Sequence, residues 1–285
     1  MADILEEIKH VEKQNHNEIT HVHVQPKHAI ITVLLSSGYI KKIKVSLDDY
    51  VQYHLRKGIK ISNQDLDNFE LRNYIDEMYL KCLRKLAMKD RTVYEICKWL
   101  KDNSPLEEAE IQQVIEKLKS NGFLDDEKLC REQIIKLSNS FYGSKQITEK
   151  LKQRGLKETF IHQYLSEAKI DELENAKDYA NKIIKQNSAI SVNKFRSKLQ
   201  SKLMLRGYHR SIIEQVMADI DVSSIQEKEP DVIDKVIQKS YKRYRRKYDG
   251  YALKQRIQQY CMAQGFPSDV IKDALNRLEL DYDED

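Results

Sequence analysis

Residues 203–217 read LMLRGYHRSIIEQVM, and the same arrangement recurs at 151–165, LKQRGLKETFIHQYL, and at 261–275, CMAQGFPSDVIKDAL. Each stretch carries a Gly followed directly by an apolar or aromatic residue. Apolar pairs then lie five and six, and nine and ten, residues beyond the Gly; in 203–217 these are Ile212-Ile213 and Val216-Met217. The glycines, Gly155, Gly207 and Gly265, are 52 and 58 residues apart. A Gly can close a helix in the left-handed conformation, where a side chain would clash, and the next helix can begin almost at once. Each stretch therefore predicts two helices joined by a tight turn.

Upstream of each pair the periodicity predicts a further helix, over roughly 125–141, 170–187 and 230–248. The unit is a triplet of helices, and an earlier copy fits 70–121 less closely. There WLKDNSPLEEAEIQQVIEKL replaces the Gly turn with a longer one, and Ser104, Pro105 and Glu107 supply an N-cap, a first-turn Pro and a capping-box acid to restart the helix. One triplet buries little alone, so stacked neighbours share a core. The expected fold is mainly α: tandem three-helix repeats over 64–122, 123–168, 169–222 and 223–285, forming an elongated, curved body.

Residues 1–63 differ. The segments 19–25, 29–35 and 39–46 are rich in β-branched residues and separated by Pro26-Lys27 and Ser36-Ser37-Gly38, which predicts a three-stranded meander. Ile4, Leu5, Ile8 and Val11 before it have a helical period. After it, Ser46 and Asp49 form a capping-box pattern that opens a short helix closed by Gly58.

Composition narrows the class. The chain has 285 residues, 33% of them charged, with only 8 Gly and 4 Pro, a profile of helix-rich folded protein. A net charge of +4 means that any affinity for nucleic acid must come from local asymmetry. Cys82, Cys97, Cys130 and Cys261 stand apart without metal-ligand spacing and read as reduced, mostly core residues of a cytoplasmic protein. MADILEEIKH is no secretory signal, and no run of about 18 apolar residues offers a membrane span.

Four stretches in order carry a family resemblance: HLRKGIKISNQDL (54–66), DRTVYEICKWL (90–100), NGFLDDEKLCREQI (121–134) and FYGSKQITEKLKQRGL (141–156). In these the chain resembles the RecX family of bacterial recombinase regulators, in its long Gram-positive-type form, over roughly residues 40–280. The missing Gly turn at 103–106 departs from the family pattern and bears on one interhelical angle. The resemblance implies a non-enzyme, and a monomer without cofactors is expected. It implies binding to the RecA filament, and limits on filament growth, ATP hydrolysis and strand exchange.

One stretch bears on partners directly. Residues 239–248, KSYKRYRRKY, interleave cations with Tyr, as a surface for stacked bases and phosphates would. On a helix starting near Asp231, however, Ile233, Ile237, Tyr241, Tyr244 and Tyr248 fall on one stripe. Lys235, Lys239, Lys242, Arg243 and Arg246 fall on the opposite face. The tyrosines then belong to a core and the cations to a single-sign face, whereas ordinary solvated faces mix signs. Such a face suits sequence-independent contact with single-stranded DNA or an acidic protein surface. Lys152 and Arg154, and Arg206 and Arg210, near two of the Gly turns, are further candidates. Cations in a last helical turn also serve the helix dipole, and both readings stand for these four.

Other chemistries are weakly supported. GSKQ (143–146) lacks the upstream Gly and the Lys-Ser/Thr pair of a phosphate loop. His16, His21, His23 and His28 crowd together without Cys or carboxylates at ligand spacing, so no metal site is expected. Asp125-Asp126 reads as a helix start, and DYDED (281–285) as a solvated acidic end.

Overall fold

The structure, a computed structural model, describes residues 17–186 and 190–278. The expected helix around Ile4–Val11, His16 and the acidic stretch 281–285 lie outside them. Three strands, β1 (Asn17–Val24), β2 (Ala29–Leu34) and β3 (Ile40–Val45), form the meander. A fourth, β4 (Lys60–Ile61), adds to β1, so the antiparallel sheet runs β3-β2-β1-β4. Ile19, Ala29, Ile31, Val33, Ile43 and Val45 are buried on one face. The register slips between Ile19 and His21, a bulge that lets Ile19 and Val22 both meet the core although they are three residues apart.

The helix α1 (Leu47–Gln52) starts as expected, with the Ser46 hydroxyl accepting from the Asp49 amide. Its other end corrects the expectation. The helix stops at Gln52, and Gly58, at φ +86°, serves the turn into β4, where its N–H donates to Ile19. Asp49 is buried and pairs with Arg72 of α2 (Asn63–Met88), tying this helix to the next.

The remaining helices are α3 (Val93–Asn103), α4 (Glu108–Ser120), α5 (Asp126–Asn139), α6 (Ser144–Gln153) and α7 (Glu158–Glu167). They continue with α8 (Glu172–Gln186), α9 (Val192–Leu205), α10 (Arg210–Asp219), the single turn α11 (Ser223–Gln226), α12 (Glu229–Tyr244), α13 (Gly250–Ala263) and α14 (Ser268–Arg277). The fold is thus mainly α with a small N-terminal sheet. The chain forms two compact units with the boundary between Asp126 and Glu127. The first holds the sheet core and a helical core around Met78, Ile96, Leu100 and Ile115. The second holds three helical cores, centred on Ile134 and Leu151, on Phe195 and Leu199, and on Ile237 and Ile257.

Gly155, Gly207 and Gly265 have φ of +84°, +82° and +91°, the left-handed closures that the sequence requires. The restart of α4 is different from expectation. Ser104 caps the end of α3, its hydroxyl donating to the Leu100 carbonyl, and Glu107 is the N-cap residue of α4. Leu106 explains the shift: it is buried, and drawing it into the core keeps the chain extended past Pro105.

A recurring acid-to-amide contact caps the start of three helices. The Asp126 carboxylate accepts from the Val93 amide at the start of α3, at 2.9 Å. Glu172 does the same for Ser144 at the start of α6 (3.1 Å), and Glu229 for Val192 at the start of α9 (2.9 Å). In each case an acid later in the chain satisfies an orphan amide in the first turn of the helix and complements its dipole, and within the second unit Glu172 and Glu229 do so for the triplet before their own. In the second unit the Gly turns join these contacts in a seam between triplets. The Gly143 amide donates to the Arg206 carbonyl at 2.8 Å, and a Cβ on Gly207 would lie 2.4 Å from the backbone nitrogen of Gln146. One triplet further on, Ser191 caps α9 and its hydroxyl donates to the Gln264 carbonyl beside Gly265.

Candidate partner-binding surfaces

The helix α12 separates its side chains as the projection predicts. Ile233 and Ile237 are fully buried; Tyr241, Tyr244 and Tyr248 are half-buried and pack against the same core. Tyr244 lies edge-on to Tyr248 and Tyr260, with ring centroids 6.4 and 6.2 Å away. Lys235, Lys239, Lys242, Arg243 and Arg246 are all exposed. None of the five forms an ion pair with a described residue, and Asp234, on the same helix, is taken by Arg277. Arg243 does lie over its neighbour Tyr244, 5.4 Å from the ring centroid.

The expected helix to residue 248 is too long. It ends at Tyr244, so Arg246 and Tyr248 lie in the following turn. Asp249 is already the extended N-cap residue of α13, at φ −129° and ψ 174°, and the chain needs the intervening residues to reverse. Arg245 and Lys247, not singled out in the sequence, are exposed there too.

The four cations near the Gly turns have varied surroundings. Lys152 pairs with Glu158 at 2.9 Å, and Arg210 with Glu214 at 2.7 Å, so part of their charge is locally matched. Arg154 is the half-buried C-cap residue of α6. Arg206 donates to the Ser140 carbonyl at 2.8 Å, and its guanidinium lies 4.4 Å from the Tyr142 ring centroid and 4.9 Å from that of Tyr179. It thereby links the ends of α5 and α9 to α8.

Around Arg206 is a hollow that sequence reasoning missed. Its walls include Phe141, Tyr142, Tyr179, Lys182, Lys202 and Arg206, drawn from α8, the end of α9 and the turn after α5. The one local signal was FYG at 141–143, an aromatic pair before a Gly.

The remaining motifs have structural duties. Gly143 of GSKQ is the N-cap residue of α6, and a Cβ there would come within 2.6 Å of the Gly207 carbonyl oxygen. His21 and His23 are exposed on β1, and among the described residues no three potential metal ligands converge. Cys82, Cys130 and Cys261 are buried and Cys97 half-buried. Burial pushes the thiols of Cys82 and Cys261 up to about 11, so both are protonated at neutral pH and neither is an activated nucleophile. No helix among the described residues is long and apolar enough to cross a membrane.

The class so defined is a tandem three-helix repeat protein whose conspicuous surface chemistry is cationic. A family model described as "RecX, third three-helix domain" matches residues 227–275, which contain α12, α13 and nearly all of α14. The chain is similar to regulatory protein RecX of Streptococcus sanguinis, 29% identical over 248 residues that cover 85% of this chain and 93% of that one. The RecX of Bacillus licheniformis is 25% identical over 249 residues, covering 86% and 93%. A crystal structure of regulatory protein RecX shares the fold with a TM-score of 0.58 at 21% identity, covering 71% of this chain and all of that one. Residues 227–275 thus match a RecX domain model, and over most of its length the chain is similar to proteins named regulatory protein RecX.

Proposed function

We propose that this protein is a non-enzymatic regulator that binds the RecA recombinase filament. In this reading it restrains filament growth, ATP hydrolysis and strand exchange during recombinational repair. Similarity to proteins named regulatory protein RecX supports a regulatory role. The observation that carries the contact is the α12 region, five exposed cations with no ion pair to any described residue. A desolvated phosphate row or an acidic recombinase surface would replace the water around them and gain the attraction that surface pairs elsewhere on the chain have already used. The deciding experiment is RecA ATP hydrolysis on single-stranded DNA, with and without this protein. Turnover should fall as the protein is added. Unchanged turnover at saturating protein would leave a helical scaffold for an unrelated acidic protein or nucleic acid.

If the same face meets DNA phosphates, binding to single strands depends on counterion release. The logarithm of the affinity then falls with the logarithm of salt at about −0.7 per phosphate contacted. Five contacts would weaken binding roughly a hundredfold between about 50 and 200 mM salt, with little sequence preference. Fluorescence anisotropy on labelled strands measures this, and a flat salt response would point to another surface.

A further inference from the structure

The sequence interleaves rings and cations on α12, where the helix packs the rings against a core and leaves most of the cations on the other face. At the junction of α5, α8 and α9 the fold brings the same two kinds of group together. The hollow there has a volume of about 590 Å³, within the usual range for small-ligand sites. Phe141 and Tyr142 enter it from the turn after α5, Tyr179 and Lys182 from α8, and Lys202 and Arg206 from the end of α9. Arg206 is held by two rings and a carbonyl, and its other N–H groups meet no acceptor among the described residues. Lys182, Lys185 and Lys202 form no ion pair with a described residue either, and the single acid on the adjoining wall is Asp178.

Phe141 is the unusual member. Its φ is +63°, a left-handed backbone that is unfavourable for a non-Gly residue. Its ring is nonetheless only half-buried, against Tyr179 at a centroid distance of 5.7 Å. Lys182 lies over the ring at 5.4 Å, on a long stem that can swing aside. A second hollow shares Phe141, Lys182 and Gln186 with the first and adds Lys185. The ring thus stands between two cation-lined depressions, an arrangement fitted to a chain that passes over it with a charge on each side.

We infer that this junction binds one nucleotide unit of a nucleic-acid single strand, the base stacked on Phe141 and the flanking phosphates held by Lys182, Lys185 and Lys202. Arg206, braced between Tyr142 and Tyr179, offers donors to the phosphate or the base edge. The site is separate from the α12 face, whose tyrosines pack against a core, and adds a ring that distinguishes a strand with bases from a bare phosphodiester chain.

The test compares labelled oligothymidylate with an abasic strand of equal length, using the full chain. The parent protein should prefer the strand with bases roughly tenfold, as one stacked base implies. Phe141→Leu, which keeps an apolar side chain against the core, should erase that preference. Lys182→Glu with Lys185→Glu, both at exposed positions, should weaken both strands. A chain with Lys239→Glu, Arg243→Glu and Arg246→Glu should bind more weakly overall yet keep the preference, so the two surfaces can fail independently. Should Phe141→Leu not fold, photo-crosslinking of the parent to strands carrying 5-iodouracil decides the matter, with attachment expected in the tryptic peptide 137–145. Equal binding of the two strands by the parent, no binding of oligothymidylate, or crosslinks confined to Tyr241, Tyr244 and Tyr248 would overturn the site. Displacement of the strand by micromolar thymidine monophosphate would do so too, by assigning the hollow to a free nucleotide.

Discussion

A chain carrying Lys239→Glu, Arg243→Glu and Arg246→Glu should fold as the parent does and lose most of its inhibition of the recombinase. The three side chains are exposed and make no ion pair with a described residue, so reversal removes no charge pairing that the described structure uses. Only Arg243, in the last turn of α12, opposes the helix dipole once reversed, at about 0.5 kcal/mol. Three reversals change the local charge by six, which turns attraction for any anionic partner into repulsion. Tyr244→Ala supplies the contrast. Full burial of the ring would set the loss at about 3–5 kcal/mol; its half-burial lowers the expected cost to about 2 kcal/mol while the cations stay in place. Urea unfolding and the ATPase assay on both variants read the two effects separately. If the triple Glu chain inhibits normally and Tyr244→Ala is stable but no longer binds DNA, the roles of the two faces are inverted.

The second large effect is expected at Gly207. An alanine there must adopt φ near +82°, and its methyl must occupy space 2.4 Å from the Gln146 nitrogen and 2.9 Å from its Cα. Backbone cannot swing away as a side-chain tip can. The conformational and overpacking costs together come to about 2–4 kcal/mol. Gly122→Ala is the control: φ is +72°, but nothing lies within 4 Å of the added carbon, so only about 1 kcal/mol is at stake. Gly265→Ala should fall between, because the nearest atom, 2.7 Å away, is the Ser191 hydroxyl, a side-chain atom that can shift at the expense of its bonds to the α9 cap and the Gln264 carbonyl. Unfolding midpoints for the three variants give the order, and equal shifts would show that the seam does not depend on close backbone approach.

The comparison of Gly207 with Gly143 shows what the sequence could reveal. Gly207 declares itself, because a local period stops at it and restarts just after. Gly143 does not. Its need for a missing side chain is imposed by Gly207 from 64 positions away, and within its own segment it looked like a fragment of a phosphate loop. The same division holds for ends of helices. Ser46 and the acids at helix starts were legible because a cap acts within three residues. The start of α4 was not, since burial of Leu106 overrode a plausible Ser-Pro signal. The two faces of α12 follow from periodicity alone, whereas the Phe141 hollow draws on three helices and has no period to read.

Within the second unit, the acids that complete the preceding triplet, Glu172 and Glu229, give the chain a direction in time as well as in space. On a ribosome, the middle helix α6 emerges with the Ser144 amide still uncapped, and its acceptor, Glu172, is translated 28 residues later. For α9 the delay from Val192 to Glu229 is 37 residues. Each of these triplets therefore reaches its final form about one triplet behind the growing end, and truncation at a triplet boundary there damages the segment before the cut as well as removing the one after it.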